Sequence, residues 1–126
     1  MQFKRFEDLP VWKLCRDYVN LVFRTIDSNE RLKKDFSTAD QFRRASLSTM
    51  LNVAEGFERG SNKEFANFLN IAKGSAGEVR SILYTLLDNR YISKEDFDSL
   101  NEGIIEISSQ LSTFRSFLLK NILRKK

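Results

Sequence analysis

Five residues carry functional groups at a spacing that could bring them together: Ser48, Asn52 and Glu55 in one stretch, Ser75 and Glu78 in another. On a helix, steps of four and three keep Ser48, Asn52 and Glu55 on one face, and Ser75 and Glu78 share a face one turn apart. Two helices that each present a serine and a carboxylate could interlock in a buried polar layer. Such a layer has two possible uses. It could satisfy its own hydrogen bonds and fix helix register and partner, since polar groups in a core cost free energy unless each is paired. It could instead hold a metal ion or run acid–base chemistry through Glu55 and Glu78. The chain has no histidine. That removes the usual neutral-pH base, the Glu-x-x-His element of di-iron bundles, and any Ser–His or Cys–His nucleophile. A structural layer is therefore expected, with no catalytic residue, metal or cofactor.

Other reactive groups are few. The single cysteine, Cys15, excludes an internal disulfide and a multi-cysteine metal site, and suggests a reducing, cytoplasmic setting. It lies on an apolar seam with no basic neighbour in sequence, the setting of a small core residue rather than of a nucleophile. Arg43-Arg44-Ala45-Ser46-Leu47 matches a basic-directed kinase motif, but in the middle of a helix a kinase could not bind it extended.

Charge points in another direction. The formal net charge is +4 and the pI is near 9.3, a balance that permits contact with nucleic acid. Basic residues cluster at Lys4-Arg5, Lys33-Lys34, Arg43-Arg44 and Arg124-Lys125-Lys126. Solvated helix ends would account for them; so would phosphate contact, for which Lys33, Lys34, Arg43, Arg44, Lys125 and Lys126 are the candidates. Aromatic and basic residues are not interleaved as in a base-stacking platform, so base-specific reading is not expected. The opening MQFKRFED lacks the apolar run of a signal peptide, and no stretch approaches the ~20 apolar residues of a membrane span.

Four amphipathic segments must position these groups. The first opens at Asp8 as N-cap, with Leu9 and Pro10 in its first turn, and carries the seam Trp12, Cys15, Val19, Val22 and Ile26. Polar residues from Asp27 to Asp35 form a connection. The second starts near Ser37 or Thr38, with Asp40 as capping-box partner, and follows the stripe Phe42, Ala45, Thr49, Val53 and Gly56 until Gly60 ends it in the left-handed conformation. Ser61 and Glu64 form a capping box for the third, whose period runs from Phe65 to Leu86. Gly74 and Gly77 interrupt it at a cost of roughly 1 kcal/mol each, for which close approach of another backbone is the expected compensation. After a turn at Asn89 to Ile92, Ser93 caps a fourth segment in which Phe97, Leu100, Ile104, Ile107, Leu111, Phe114 and Leu118 step by three and four. This pattern predicts an all-α, antiparallel up-down-up-down four-helix bundle, a single domain over residues 1–126.

The stretch QFRRASLSTMLNVAEGFERGSNKEFANFLNIAKGSAGE resembles the central signature of a four-helix-bundle family, the 23S rRNA intervening-sequence proteins. The matching positions are Gln41, Arg44, Ala45, Ser48, Asn52, Val53, Ala54, Glu55, Gly56 and Arg59, then Phe68, Leu69, Ala72, Gly74, Ser75 and Glu78. The opening FEDLPVWK is similar to the family's start, with Leu9, Val11 and Trp12 in place. Val53 stands where isoleucine is usual, and Ala76-Gly77 where larger residues are. The resemblance implies a small bacterial protein; with no histidine and no exposed nucleophile pattern, a non-enzymatic binding module is the expected function. A similar branch, the accessory variability determinants of diversity-generating retroelements, implies a basic homopentamer that binds nucleic acid or docks on a protein partner such as a reverse transcriptase. Apolar residues beyond the main seams, among them Leu14, Leu21, Phe117 and Leu119, agree with an oligomer interface. Five copies would sum the formal +4 to about +20.

Overall fold

Pro10 opens the first long helix because its fixed φ suits the first helical position, where its missing N–H would have no partner in any case. The computed structural model describes residues 3–125, and side chains over residues 3–121. Helix α1 spans Pro10–Asp27. Asp8, expected as its cap, lies instead in a 3-10 turn, Phe6–Asp8, and no side chain caps α1. The turn is held against the bundle by Phe6, whose ring meets Trp12 edge-on at 5.2 Å between centroids. Trp12, Cys15, Val19, Val22 and Ile26 are all buried, so the predicted seam is the core face of α1.

The connection expected from Asp27 to Asp35 contains a further short helix, α2, Glu30–Lys34. One turn is too short to show a period, and two local contacts explain it. Asn29 caps it by accepting a hydrogen bond from the Leu32 amide at 3.0 Å, and Leu32 is fully buried. Helix α3, Phe36–Glu58, starts earlier than expected because Asp35 caps it, accepting from the Thr38 amide at 3.1 Å. Asp40 takes no part in that cap and pairs with Arg44 at 2.9 Å. Gly60 closes α3 with φ +84°, the left-handed conformation that glycine adopts without strain.

Helix α4 spans Asn62–Asp88 and α5 spans Lys94–Lys125. Ser61 caps α4 as expected, accepting from the Glu64 amide at 3.2 Å, but its partner bond is from its own hydroxyl to the Glu64 carboxylate at 3.3 Å rather than from its backbone N–H. Ser93 caps α5 through the Asp96 amide at 3.1 Å. In α5 Phe97, Leu100, Ile104, Ile107, Leu111 and Leu118 are buried, while Phe114 is half-buried at the edge of the core. The four long helices run up, down, up and down, and no strand occurs among the described residues. The α3–α4 and α4–α5 seams are extensive, whereas α1 meets α5 more sparsely.

Two glycines set the closest approaches. A Cβ on Gly56 would lie 2.6 Å from Phe68 Cβ and 2.9 Å from Phe65 Cδ1, so α4 packs directly onto the α3 backbone there. A Cβ on Gly103 would lie 2.9 Å from Tyr18 Cε2. That contact lets the buried Tyr18 hydroxyl donate to the Leu100 carbonyl at 2.8 Å and tie α1 to α5. Gly74 and Gly77 do not have the role expected of them: both face open space, with nothing within 4 Å of a Cβ built on either.

Candidate functional site

The polar residues of α3 and α4 meet along one seam. Ser48 Oγ and Ser75 Oγ are 2.8 Å apart and form the only side-chain hydrogen bond between these helices among the described residues. Asn52 Nδ2 donates to the Ser48 carbonyl at 2.8 Å and to Ser48 Oγ at 3.0 Å, and the Ser75 hydroxyl can also donate to the Ile71 carbonyl of its own helix at 3.2 Å. Ser75 is buried and Ser48 and Asn52 are half-buried. The seam is self-satisfying: each hydroxyl or amide donor has an acceptor within the group or on the adjacent backbone.

Glu55 and Glu78 are not part of it. Both are exposed, and Glu55 pairs with Arg59 at 2.6 Å. The physical reason is rotation about the helix. Each glutamate follows its seam residue by three positions, which turns it about 60° further outward. The layer of five residues expected from the sequence is thus a seam of three with two carboxylates on the surface. No group of three metal-type ligands occurs among the described residues.

The nucleophile-type groups are closed off. Burial pushes the Cys15 thiol up to about 11, with a hydrogen bond involving Thr49 acting weakly the other way, so the thiolate is scarce near neutrality. Ser46, the serine of the kinase-like motif, is fully buried and donates to the Arg43 carbonyl at 2.9 Å.

The basic candidates do not form one patch. Lys33 and Lys34 are exposed in the last turn of α2 and lack a carboxylate within 4.0 Å among the described residues. Arg44 is held by Asp40, and Arg43 is half-buried with its guanidinium 5.8 Å from the Phe23 ring centroid. The Lys125 side chain and Lys126 lie outside the described residues. The antiparallel order nonetheless puts the last turn of α5 at the end of the bundle opposite to α2, about 40 Å away along a helix of the length of α4.

A polar knot that the sequence reading did not anticipate closes the α2 end. Asn29 donates its side-chain amide to the Tyr91 carbonyl, and the Tyr91 hydroxyl donates to Asp35 Oδ2 at 2.7 Å. Arg31 lies over the Tyr91 ring at 5.0 Å and donates to the Arg90 carbonyl at 3.1 Å. The Tyr91 hydrogen bond, with help from the Thr38 amide, holds the Asp35 carboxyl below its ordinary range. The same bond raises the Tyr91 phenol. Arg90, with φ 60°, makes the sharp turn that places Tyr91. A tyrosine inside the predicted turn was the available signal.

With this geometry established, the relationships of the chain can be stated. A family model described as "23S rRNA-intervening sequence protein" matches residues 7–113. Among solved structures, the chain is similar to a crystal structure of a protein of unknown function from the S23 ribosomal protein family of Bacteroides thetaiotaomicron. The two are 26% identical, with a TM-score of 0.77 over 83% of this chain and 97% of that one. No curated protein matches. The matched region takes in α1 to α4, the Ser48–Asn52–Ser75 seam and most of α5. The chain belongs to the family of 23S rRNA-intervening sequence proteins.

Proposed function

We propose that this protein is a non-enzymatic, oligomeric binding module that contacts the backbone of RNA or DNA through a basic surface. The observation that carries this reading is the surplus of unneutralised cations. Among the described residues only Arg5, Arg44, Arg59 and Lys94 lie within 4.0 Å of a carboxylate, while Lys33 and Lys34 project without one. The groups that could have supported an enzymatic reading point away from it: Cys15 is buried with its thiol raised, and Glu55 and Glu78 are solvated. Self-association is supported by apolar side chains on the outer faces, with Leu51, Ile71 and Phe117 each more than half exposed at 58%, 52% and 52%. A homopentamer is the assembly that the accessory-determinant resemblance suggests. Those same apolar residues favour a second reading, a scaffold docked on a protein partner such as a reverse transcriptase.

Light scattering after size exclusion, followed by titration of labelled RNA and duplex DNA at two salt concentrations, tests both. Electrostatic binding weakens steeply as salt rises, and Lys33→Glu with Lys34→Glu should lower affinity at low salt while leaving helicity intact. An oligomer that ignores both nucleic acids would reject the first reading and leave the scaffold. A monomer would reject the assembly.

A further inference from the structure

The geometry points to a specific place where a nucleic-acid backbone lies on this protein: the shallow groove between α4 and α5, with Lys73 and Arg80 on one wall and the hydroxyls of α5 on the other. This assignment rests on the nucleic-acid reading above and deepens it, because none of the basic residues singled out from the sequence lines the groove. The space measures about 380 Å³. Lys73 and Arg80 are seven residues apart on α4, so they project along one edge about 10 Å from each other. Measured along a duplex axis, that span equals about three steps of 3.4 Å.

Three features favour a phosphodiester chain as the occupant. First, Lys73 and Arg80 are exposed, and no carboxylate lies within 4.0 Å of either among the described residues. Second, the opposite wall presents Ser108, Ser109, Ser112 and Thr113, whose hydroxyls make no hydrogen bond to any described residue. The helical hydroxyls of Thr25, Thr49 and Ser75 bond back to their own helix; those of the groove do not, and four of them lie side by side on one wall. Cations together with serine and threonine hydroxyls are the side-chain set that positions nucleic-acid backbones. Third, Gly77 lies one turn from each cation, and nothing lies within 4 Å of a Cβ built there. A notch is therefore left between Lys73 and Arg80 through which a chain can pass. Ile105 is the sole apolar lining residue and no aromatic ring lines the groove, so bases are not stacked in it and the contact is to sugar and phosphate.

The experiment uses the full chain and fluorescein-labelled single-stranded RNA, duplex DNA and poly-glutamate, titrated between about 50 and 200 mM salt. Lys73→Gln with Arg80→Gln removes two contacts. It should reduce the slope of log affinity against log salt by about 1.4 to 1.8 units, at 0.7 to 0.9 per phosphate contact. A control with Lys13→Gln and Lys63→Gln, exposed positions off the groove, removes the same formal charge and should leave the slope unchanged. Gly77→Leu keeps every charge, and its Cβ meets nothing within 4 Å; a leucine side chain there would narrow the passage beside the groove and should weaken binding severalfold. A wild-type protein that binds neither nucleic acid rejects the functional reading and this site with it. Wild-type binding whose slope falls equally in the groove and control pairs, with Gly77→Leu unaffected, rejects the groove and leaves the functional reading standing. Poly-glutamate bound as tightly as RNA would overturn the phosphodiester assignment in favour of an acidic peptide.

Discussion

The same substitution, glycine to alanine, should have opposite effects at Gly56 and Gly77, and the difference measures how tightly α3 and α4 pack. In a helix interior alanine is favoured over glycine by about 0.8–1.0 kcal/mol. At Gly77 nothing opposes that gain, because open space surrounds the position. At Gly56 the added Cβ would sit 2.6 Å from Phe68 Cβ, an atom fixed to the α4 backbone, and 2.9 Å from the Phe65 ring. Neither can swing aside, so the helices must separate. Overpacking of this kind costs typically 1–3 kcal/mol. The expected outcome is a Gly77→Ala variant stabilised by about 1 kcal/mol and a Gly56→Ala variant that is neutral to about 2 kcal/mol less stable than the parent. For a domain of this size each kcal/mol moves the melting temperature by about 4 °C. The two variants should thus melt roughly 4 to 12 °C apart by circular dichroism, compared at one protein concentration so that assembly does not shift the midpoint. Equal stabilisation of both would refute the close approach of α3 and α4 at Gly56.

Further outcomes test the chemistry assigned above. Cys15 should resist a thiol-modifying reagent at pH 8 in the folded protein and react fully in denaturant, because burial raises its folded pKa to about 11; rapid native-state modification would contradict its core position. The Tyr91–Asp35 hydrogen bond should stabilise the bundle within a defined pH range. The folded Asp35 carboxyl lies below its ordinary value of 3.8, so its contribution is present above that value and lost as pH falls through the lowered one. Tyr91 lies above its ordinary value of 10.0, so its contribution is present below 10.0 and lost as pH rises past the raised one. The stability difference between wild type and Tyr91→Phe should therefore be flat from about pH 5 to 9 and shrink at both extremes; a difference independent of pH would show that the bond adds nothing.

The bundle was legible in the sequence because the information for it is local and repeated. Trp12, Cys15, Val19, Val22 and Ile26, or Phe97 through Leu118, state the helical period many times over, so single exceptions do not hide it. Ser61 and Glu64 state a helix start in two residues that can satisfy each other. Signals given once were read less well. Asp35, Ser37 and Thr38 are all able caps within four positions, and only the backbone path selects Asp35. Helix α2 depends on one cap and one buried leucine. Gly56 falls on its helix's apolar stripe, where a missing side chain must be filled by a neighbour, whereas Gly74 and Gly77 fall off theirs, where it need not be. A glycine's place relative to the seam, rather than its propensity cost, is what distinguishes packing from open surface.

The polar residues follow the same logic, and it explains why the basic groove was not visible in advance. Ser48, Asn52 and Ser75 can be recognised as a group because two of them lie on one helical stripe and short side chains can reach only across a tight seam. Lys73 and Arg80 stand alone in sequence, each flanked by uncharged residues or by a single acid, and the α5 hydroxyls that face them come about thirty residues later. A charge run such as Lys33-Lys34 is conspicuous in a sequence because its members are adjacent, but adjacency on a helix sends side chains about 100° apart. Residues spaced by seven project along one edge instead, and the extensive α4–α5 seam then brings a second row of groups alongside. For binding an extended polyanion the spaced pair is the better arrangement, since successive phosphates need contacts distributed along a line rather than concentrated at one turn.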